Sequence, residues 1–185
     1  STGAAVIFGT SGGVMEAALR TVYAKLNGGK EMPGIEVAPV RGMDGLREAE
    51  VDLGAAGKVK VAICFGLANA RKLMEQAVAG ASPYAFIEVM ACPGGCIDCG
   101  GTPRVKHEFH PNRSKRQNGL FSIDRDMPRR QSHNNPQVIR LYEEFLGEPN
   151  SHLAHELLHT HYSDRHKDHS ETISRAFQQV TLTDW

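Results

Sequence analysis

The chain has 185 residues, with 21 Lys and Arg against 21 Asp and Glu, nine His and four Cys. That length admits one compact domain or one and a half, and a formal charge of zero removes any argument from global electrostatics for a nucleic acid or an anionic membrane as partner. At 41% apolar and 23% charged residues the chain can bury a core of its own. No run approaches the roughly 18 to 20 apolar residues of a membrane span. The start, Ser1-Thr2-Gly3-Ala4, lacks an initiator Met and the regions of a signal peptide. The expectation is a chain cut from something longer and located in the cytoplasm, with the periplasm still open.

In chain order, Ala4 to Phe8 reads as a short buried strand, Gly9 to Gly13 as a glycine turn, and Val14, Ala17, Ala18, Thr21 and Val22 as the apolar face of a helix. Ile35 to Val40 is a candidate strand. Ala49, Val51 and Leu53 alternate with charged residues, Gly54-Ala55-Ala56-Gly57 interrupts, and Val59, Val61 and Ile63 resume the alternation, which predicts a hairpin whose second strand runs to Phe65. After Gly66 comes a helix with Ala70, Leu73, Met74, Ala77 and Val78 on one face, then an apolar strand from Tyr84 to Met90. This order predicts an α/β fold, a partly parallel sheet with flanking helices, in which ligands collect beyond the carboxyl ends of strands. The loops Gly9 to Gly13 and Ala91 to Pro103 are the two candidates for that place.

From Arg104 to Arg130 eight Lys or Arg face three acids with little periodicity, which predicts a long, locally basic connection. It has only Phe109 and Phe121 as aromatics, so a solvated wrapping segment is favoured over an RNA-binding one. A helix carrying Val138, Leu141, Tyr142, Phe145 and Leu146 on one face ends at Gly147-Glu148-Pro149. A second spans His152 to Tyr162, and a polar tail runs to Trp185. The last two segments and the connection form a C-terminal helical wrapping segment.

Three of the four cysteines fall within eight residues, as Cys92-Pro93-Gly94-Gly95-Cys96-Ile97-Asp98-Cys99. Disulfide frameworks space their cysteines to close long loops, whereas CxxxCxxC with intervening glycines suits thiolate ligation of iron-sulfur clusters. A zinc knuckle would show paired CxxC motifs. The spacing also matches the cluster loop of radical-SAM enzymes, which follows the first strand of a barrel longer than this chain allows. Cys64 lies in an apolar strand and reads as a core residue. Gly9 to Gly13 matches neither GxGxxG nor GxxxxGK[ST], so it is no dinucleotide or phosphate loop. His155-Glu156-Leu157-Leu158-His159 satisfies HExxH, the zinc motif of metalloproteases. No strand-like run follows it, so imidazoles packing against the rest of the protein is the preferred reading.

The residues around the cysteines decide among these. Phe86 to Cys96 resembles the third cysteine motif of the [FeFe]-hydrogenases, ExMACPGGCxxGGGxP. Val6 to Arg20 resembles that family's VIFGxTGGVMEAALR segment, and Gly66 to Lys72 its GxxNARK. Asn135 to Leu146 and His152 to Tyr162 are similar to its small-subunit region. The resemblance covers nearly the whole chain in one order. It implies residues 1–103 as the C-terminal lobe of the large-subunit catalytic domain and 104–185 as the basic connection and small-subunit-like helical region.

In that family the H-cluster joins a [4Fe-4S] cubane to a two-iron unit carrying CO, CN⁻ and a bridging dithiolate. The resemblance implies Cys92 as a cubane ligand and Cys96 as a ligand that also bridges to the two-iron unit. It implies Met90 beside the diiron ligands, and Phe8, Gly9 and Val14 in the segment lining the other pocket wall. The implied chemistry is reversible cleavage of H₂. Two departures stand out. Cys99 occupies a position the family fills with Gly or another small residue. The other two cysteine motifs, TSCCP and MPCxxK, are absent, so half of the cluster cage is expected on a partner chain or preceding segment that also carries the electron-transfer iron-sulfur clusters, in a hetero-oligomer. The alternative is a non-catalytic iron-sulfur scaffold or redox-sensing subunit of the same fold.

Overall fold

The computed structural model describes residues 1–34, 37–103 and 109–161. Two compact units are distinguished, residues 1–140 and 141–185. In the first, α1 spans Gly3–Ile7, α2 Gly13–Leu26, β1 Leu46–Asp52, β2 Lys58–Phe65, α3 Leu67–Val78, β3 Phe86–Met90 and α4 Phe109–Asp126.

The sheet has the order β1-β2-β3. β1 and β2 form the expected antiparallel hairpin, with Leu46 opposite Cys64 and Asp52 opposite Lys58. β2 and β3 run parallel, with Val61 opposite Phe86 and Phe65 opposite Met90, and α3 makes the crossover between them. Side chains alternate along β2, so each face meets a different helix. Val61 and Ile63 join Met15 and Leu19 of α2 together with Val40, Val51 and Leu53. Ala62 and Cys64 join Ala70 and Leu73 of α3, and Cys64 is a core residue. The partly parallel sheet with flanking helices is thus present.

Local structure departs from expectation in four places. Ala4 to Phe8 is not a strand: Gly3–Ile7 forms a helical turn and a half, α1. A five-residue apolar run does not distinguish the two states by periodicity, and here the amides of Gly3 and Ala4 are taken by the carbonyls of Arg129 and Arg130, at 2.9 Å each, rather than by a strand. Gly9 to Gly13 therefore leaves a helix, and only the loop after β3 leaves a strand end. In the candidate strand Ile35 to Val40, residues 38–40 form a 3-10 turn, while 35 and 36 lie outside the described residues.

The basic connection contains an 18-residue helix, α4. Apart from Phe121 its inner face is polar, which is why hydrophobic periodicity does not reveal it. Arg113, Gln117, Phe121 and Asp124 recur at helical spacing. Arg113 and Arg116 bind Asp98 at 2.6 and 3.2 Å. Gln117 donates to Thr10 Oγ1 at 3.0 Å and to the Gly42 carbonyl at 3.1 Å. Phe121 lies under the Arg41 guanidinium, 3.9 Å from its ring centroid. Asp124 is fully buried against Arg20 and Arg130. Arg113, Arg116 and Arg130 of this segment are thereby engaged within the chain.

A helix at Pro136–Leu141 (α5) continues as a π-helical turn, Tyr142–Leu146, which stops at Gly147 as expected. In the second unit α6 spans His152–Leu158 and is capped by Ser151, whose Oγ accepts from the Ala154 amide at 3.1 Å. It ends four residues short of the expected Tyr162, which lies with the polar tail outside the described residues.

Candidate iron-sulfur site

β3 ends at Met90, and the chain turns at once into the cysteine loop. Its backbone is held from outside. Gly94 O accepts from Ser11 N at 2.9 Å and from Thr10 Oγ1 at 3.3 Å, and Thr10 Oγ1 in turn accepts from Gln117. Inside the loop, Gly95 N donates to Cys92 O at 3.0 Å, and a 3-10 turn covers Cys96–Asp98.

Gly95 is where the two loops meet. Its φ is +92°, and a Cβ there would lie 2.7 Å from Ser11 N, 2.8 Å from Met90 Sδ and 3.0 Å from Gly9 O. A side chain would force apart the turn after α1, the end of β3 and the cysteine loop, so glycine is required by space as well as by dihedral. Gly9, Met90 and the Cys92–Cys96 loop are thus brought together. Phe8 and Val14 bracket the Gly9–Gly13 turn: Phe8 is 47% exposed, and Val14 is half-buried in the first turn of α2.

The thiols of Cys92, Cys96 and Cys99 are free, with Cys96 exposed and the other two half-buried. The Cys99 thiol donates to Gly95 O at 3.5 Å, and the neighbouring Cys92 foremost, then burial, pushes it up to about 11. Among the described residues no three His, Cys, Asp or Glu side chains are arranged to hold a single metal ion. Free thiols on a glycine-rich loop fit iron-sulfur chemistry, in which a cubane takes four thiolates.

Three residues beneath this site carried no role in the sequence reading. Glu88 is buried, yet its Oε1 accepts from Gly12 N at 2.6 Å and its Oε2 from Met15 N at 2.7 Å, so it ties the start of α2 to β3. Burial pushes the Glu88 carboxyl up, against the opposing pull of the Gly12, Met15 and Val14 amides and of Arg47. Arg47, from β1, donates to Ser11 Oγ at 3.1 Å and to Asp44 O at 2.6 Å. Gln117 reaches Thr10 from α4. The available signal for Glu88 was a carboxylate inside an apolar strand. Arg47 and Gln117 gave no signal, since each lies among other polar residues in sequence.

His155 and His159 of the HExxH run lie with ring centroids 4.3 Å apart, and His155 stacks on His161 at 6.1 Å. Glu156 faces His152 instead, at 3.9 Å.

Comparison with known proteins bears on both parts of the chain. A family model described as the iron only hydrogenase large subunit, C-terminal domain, matches residues 1–101, and one described as the iron hydrogenase small subunit matches residues 110–165. The NADP-reducing hydrogenase subunit HndD of Solidesulfovibrio fructosivorans is 48% identical over 167 residues, 90% of this chain and 28% of that protein. The cytosolic iron-sulfur assembly component 3 of Mus musculus is 32% identical over 83% of this chain and 31% of its own length. A solved structure of [FeFe]-hydrogenase HydA1 from Chlamydomonas reinhardtii superposes with a TM-score of 0.63 at 40% identity, covering 84% of this chain and 45% of that one. The chain therefore spans between a quarter and a half of the length of these relatives.

Proposed function

The chain belongs to the iron-only hydrogenase family, in the C-terminal domain of its large subunit, and from that premise we propose that it forms one wall of an H-cluster site in an [FeFe]-hydrogenase that oxidises H₂ and reduces protons reversibly. The observation that carries this reading is the loop after β3, which carries Cys92 and Cys96 and is fastened through Gly94 and Gly95 to the Gly9–Ser11 turn.

In this proposal Cys92 and Cys96 would hold the [4Fe-4S] cubane of the H-cluster, with Cys96 the residue of this chain that would also serve its two-iron unit, the part carrying CO, CN⁻ and a dithiolate. The bound group supplies the heterolysis of H₂. The chain's own residues hold and enclose it. Glu88 and Arg47 clamp the base of the two loops, which fixes where the thiols point. Met90 lines the loop from below, while Phe8, Gly9 and Val14 form the apolar wall that excludes water. The remaining thiolates come from a partner chain or segment, which also carries the electron-transfer clusters in a hetero-oligomer. No helix among the described residues is long and apolar enough to cross a membrane, and a cytoplasmic setting belongs to the proposal.

The ligand assignment is tested by reconstituting the complete protein that contains this chain with iron and sulfide. C92A and C96A should each lose most of the cubane signal, and full occupancy in both variants would overturn the assignment.

Similarity to the mouse assembly component supports a second reading, an iron-sulfur scaffold that binds a cluster without turning over H₂. Infrared spectra of the native complex separate the two. Bands of bound CO and CN⁻ support the hydrogenase, whereas a cubane without them supports the scaffold.

A further inference from the structure

The two edges of the sheet are made differently. On β1 the exposed positions include Glu48, Glu50 and Asp52, charges of the kind with which a free edge resists pairing. β3 forms the other edge and, among the described residues, pairs with β2 alone. Neither Lys nor Pro blunts it. Its one charged residue, Glu88, is buried and engaged by α2, whereas Phe86 is 48% and Val89 43% exposed.

Apolar surface continues past this edge on both faces of the sheet. Phe86 shares the α2 face with Glu88, and Val89 lies on the opposite face. On the α2 side a cavity of about 140 Å³ is lined by Ala18, Val22, Val61 and Phe86, and Val22 is itself exposed. On the α3 side a cavity of about 430 Å³ is lined by Ala77, Tyr84, Phe86 and Ile87. A helix laid on the sheet would cover one of these faces, whereas a strand hydrogen-bonded to β3 meets the backbone edge and both faces together.

The direction of β3 ties this edge to the cysteines. The strand ends at Met90, two residues before Cys92. A strand added parallel to it, as β3 is to β2, lies about 4.8 Å away, so the loop that follows it emerges beside the cysteine loop, at the carboxyl end of the strands where ligands collect. This chain covers 45% of the HydA1 chain with which it superposes, so such a relative carries polypeptide beyond the matched part from which a strand can come.

We propose that the open edge of β3 is the docking site for one further strand, apolar on both faces and parallel to β3, belonging to the polypeptide that supplies the remaining cluster thiolates. The inference rests on the function proposed above and names the surface on which its missing half is seated.

The test is hydrogen exchange of the Phe86–Met90 amides, read residue by residue by mass spectrometry in the complete protein that contains this chain. A strand paired on one side protects alternate amides, and one paired on both sides protects successive amides. Successive amides should therefore exchange more slowly than free ones by about 100-fold or more, and an alternating pattern would overturn the proposal. Protection that grows with protein concentration would place a second copy of the chain on the edge and would also overturn it. F86K, which sets a charge at the edge six residues from the nearest cysteine of the loop, should restore fast exchange at alternate amides and lower iron content about twofold or more. E50Q, on the β1 edge, should change neither. Successive protection that persists in F86K, or E50Q acting as F86K does, would count against the assignment. Failure of the underlying ligand assignment shows up separately, as full iron content in C92A and C96A with the edge still protected.

Discussion

Replacing Asp124 by Asn removes a fully buried carboxylate from a cluster of ion pairs. Arg20 Nη1 and Nη2 bind Asp124 Oδ1 and Oδ2 at 2.9 and 2.8 Å, and Arg130 Nη2 binds Oδ2 at 2.6 Å. Arg20 also pairs with Glu16, which Arg41 binds twice at 2.8 Å. Among the described residues the cluster joins the guanidinium groups of Arg20, Arg41 and Arg130 to the carboxylates of Glu16 and Asp124. With Asn at position 124, Arg20 and Arg130 lose the carboxylate they share, Glu16 still pairs with Arg20 and Arg41, and the Asn amide turns a donor toward arginine donors. Breaking a buried ion pair from one side costs about 3–5 kcal/mol, and Glu16 continues to compensate Arg20, so the lower end, about 3 kcal/mol, is expected. With a urea slope of about 2 kcal/mol per molar for a domain of this size, the midpoint of unfolding followed by circular dichroism should fall by about 1.5 M. Acid titration supplies a second readout. Burial raises the Asp124 carboxyl, but hydrogen bonds and charge from Arg20 and Arg130 outweigh it, and its net pKa is lowered. The folded state therefore binds this proton less readily than the unfolded one. The resulting stability is present above the usual Asp value of about 3.9 and is lost as the pH falls through the lower folded value. D124N should lack that loss. A midpoint drop below about 0.3 M, the scale of an exposed pair, or an acid profile identical to the parent's would refute the reasoning.

At Gly95 an Ala would combine a left-handed φ with contacts on the Ser11 backbone, which cannot yield as a side chain can. G95A should cost about 2–4 kcal/mol and reduce iron uptake, whereas G94A, which meets the flexible end of Met43 at 3.3 Å, should do less on both counts; equal effects would contradict the geometry. In α3, L73A should cost about 2–5 kcal/mol, since Leu73 is 2% exposed, while L67A on the same helix, at 71% exposure, should stay within about 0.5 kcal/mol in the same urea assay. His133 bonds Thr21 Oγ1 at 3.1 Å, and burial, then the charge of Lys25, lowers its pKa. Its contribution should be full above the usual His value of about 6.5 and decline as the pH falls toward the lower folded value. H133Q should flatten stability across that window, and an unchanged slope would count against the assignment.

Much was determined by the sequence alone. The hairpin, α3, β3 and the two-faced alternation of β2 follow from apolar periodicity, because each buries an apolar stripe that period 2 or 3.6 makes visible. The thiols were legible because clustered cysteines around glycine are rare without a ligand, and the family was legible because its motifs recur in order. Tertiary structure decided what lies between these elements. The five residues of α1 are too few to declare their state, and only the carbonyls of Arg129 and Arg130 settle it. α4 hides its inner face behind arginine, glutamine and aspartate, whose partners lie some 15 to 107 residues away in sequence. Glu88, Arg47 and the contact at Gly95 belong to the same class. Hydrophobic burial leaves a local, periodic trace in the chain, whereas a buried polar contact is specified only jointly by residues that the fold brings together.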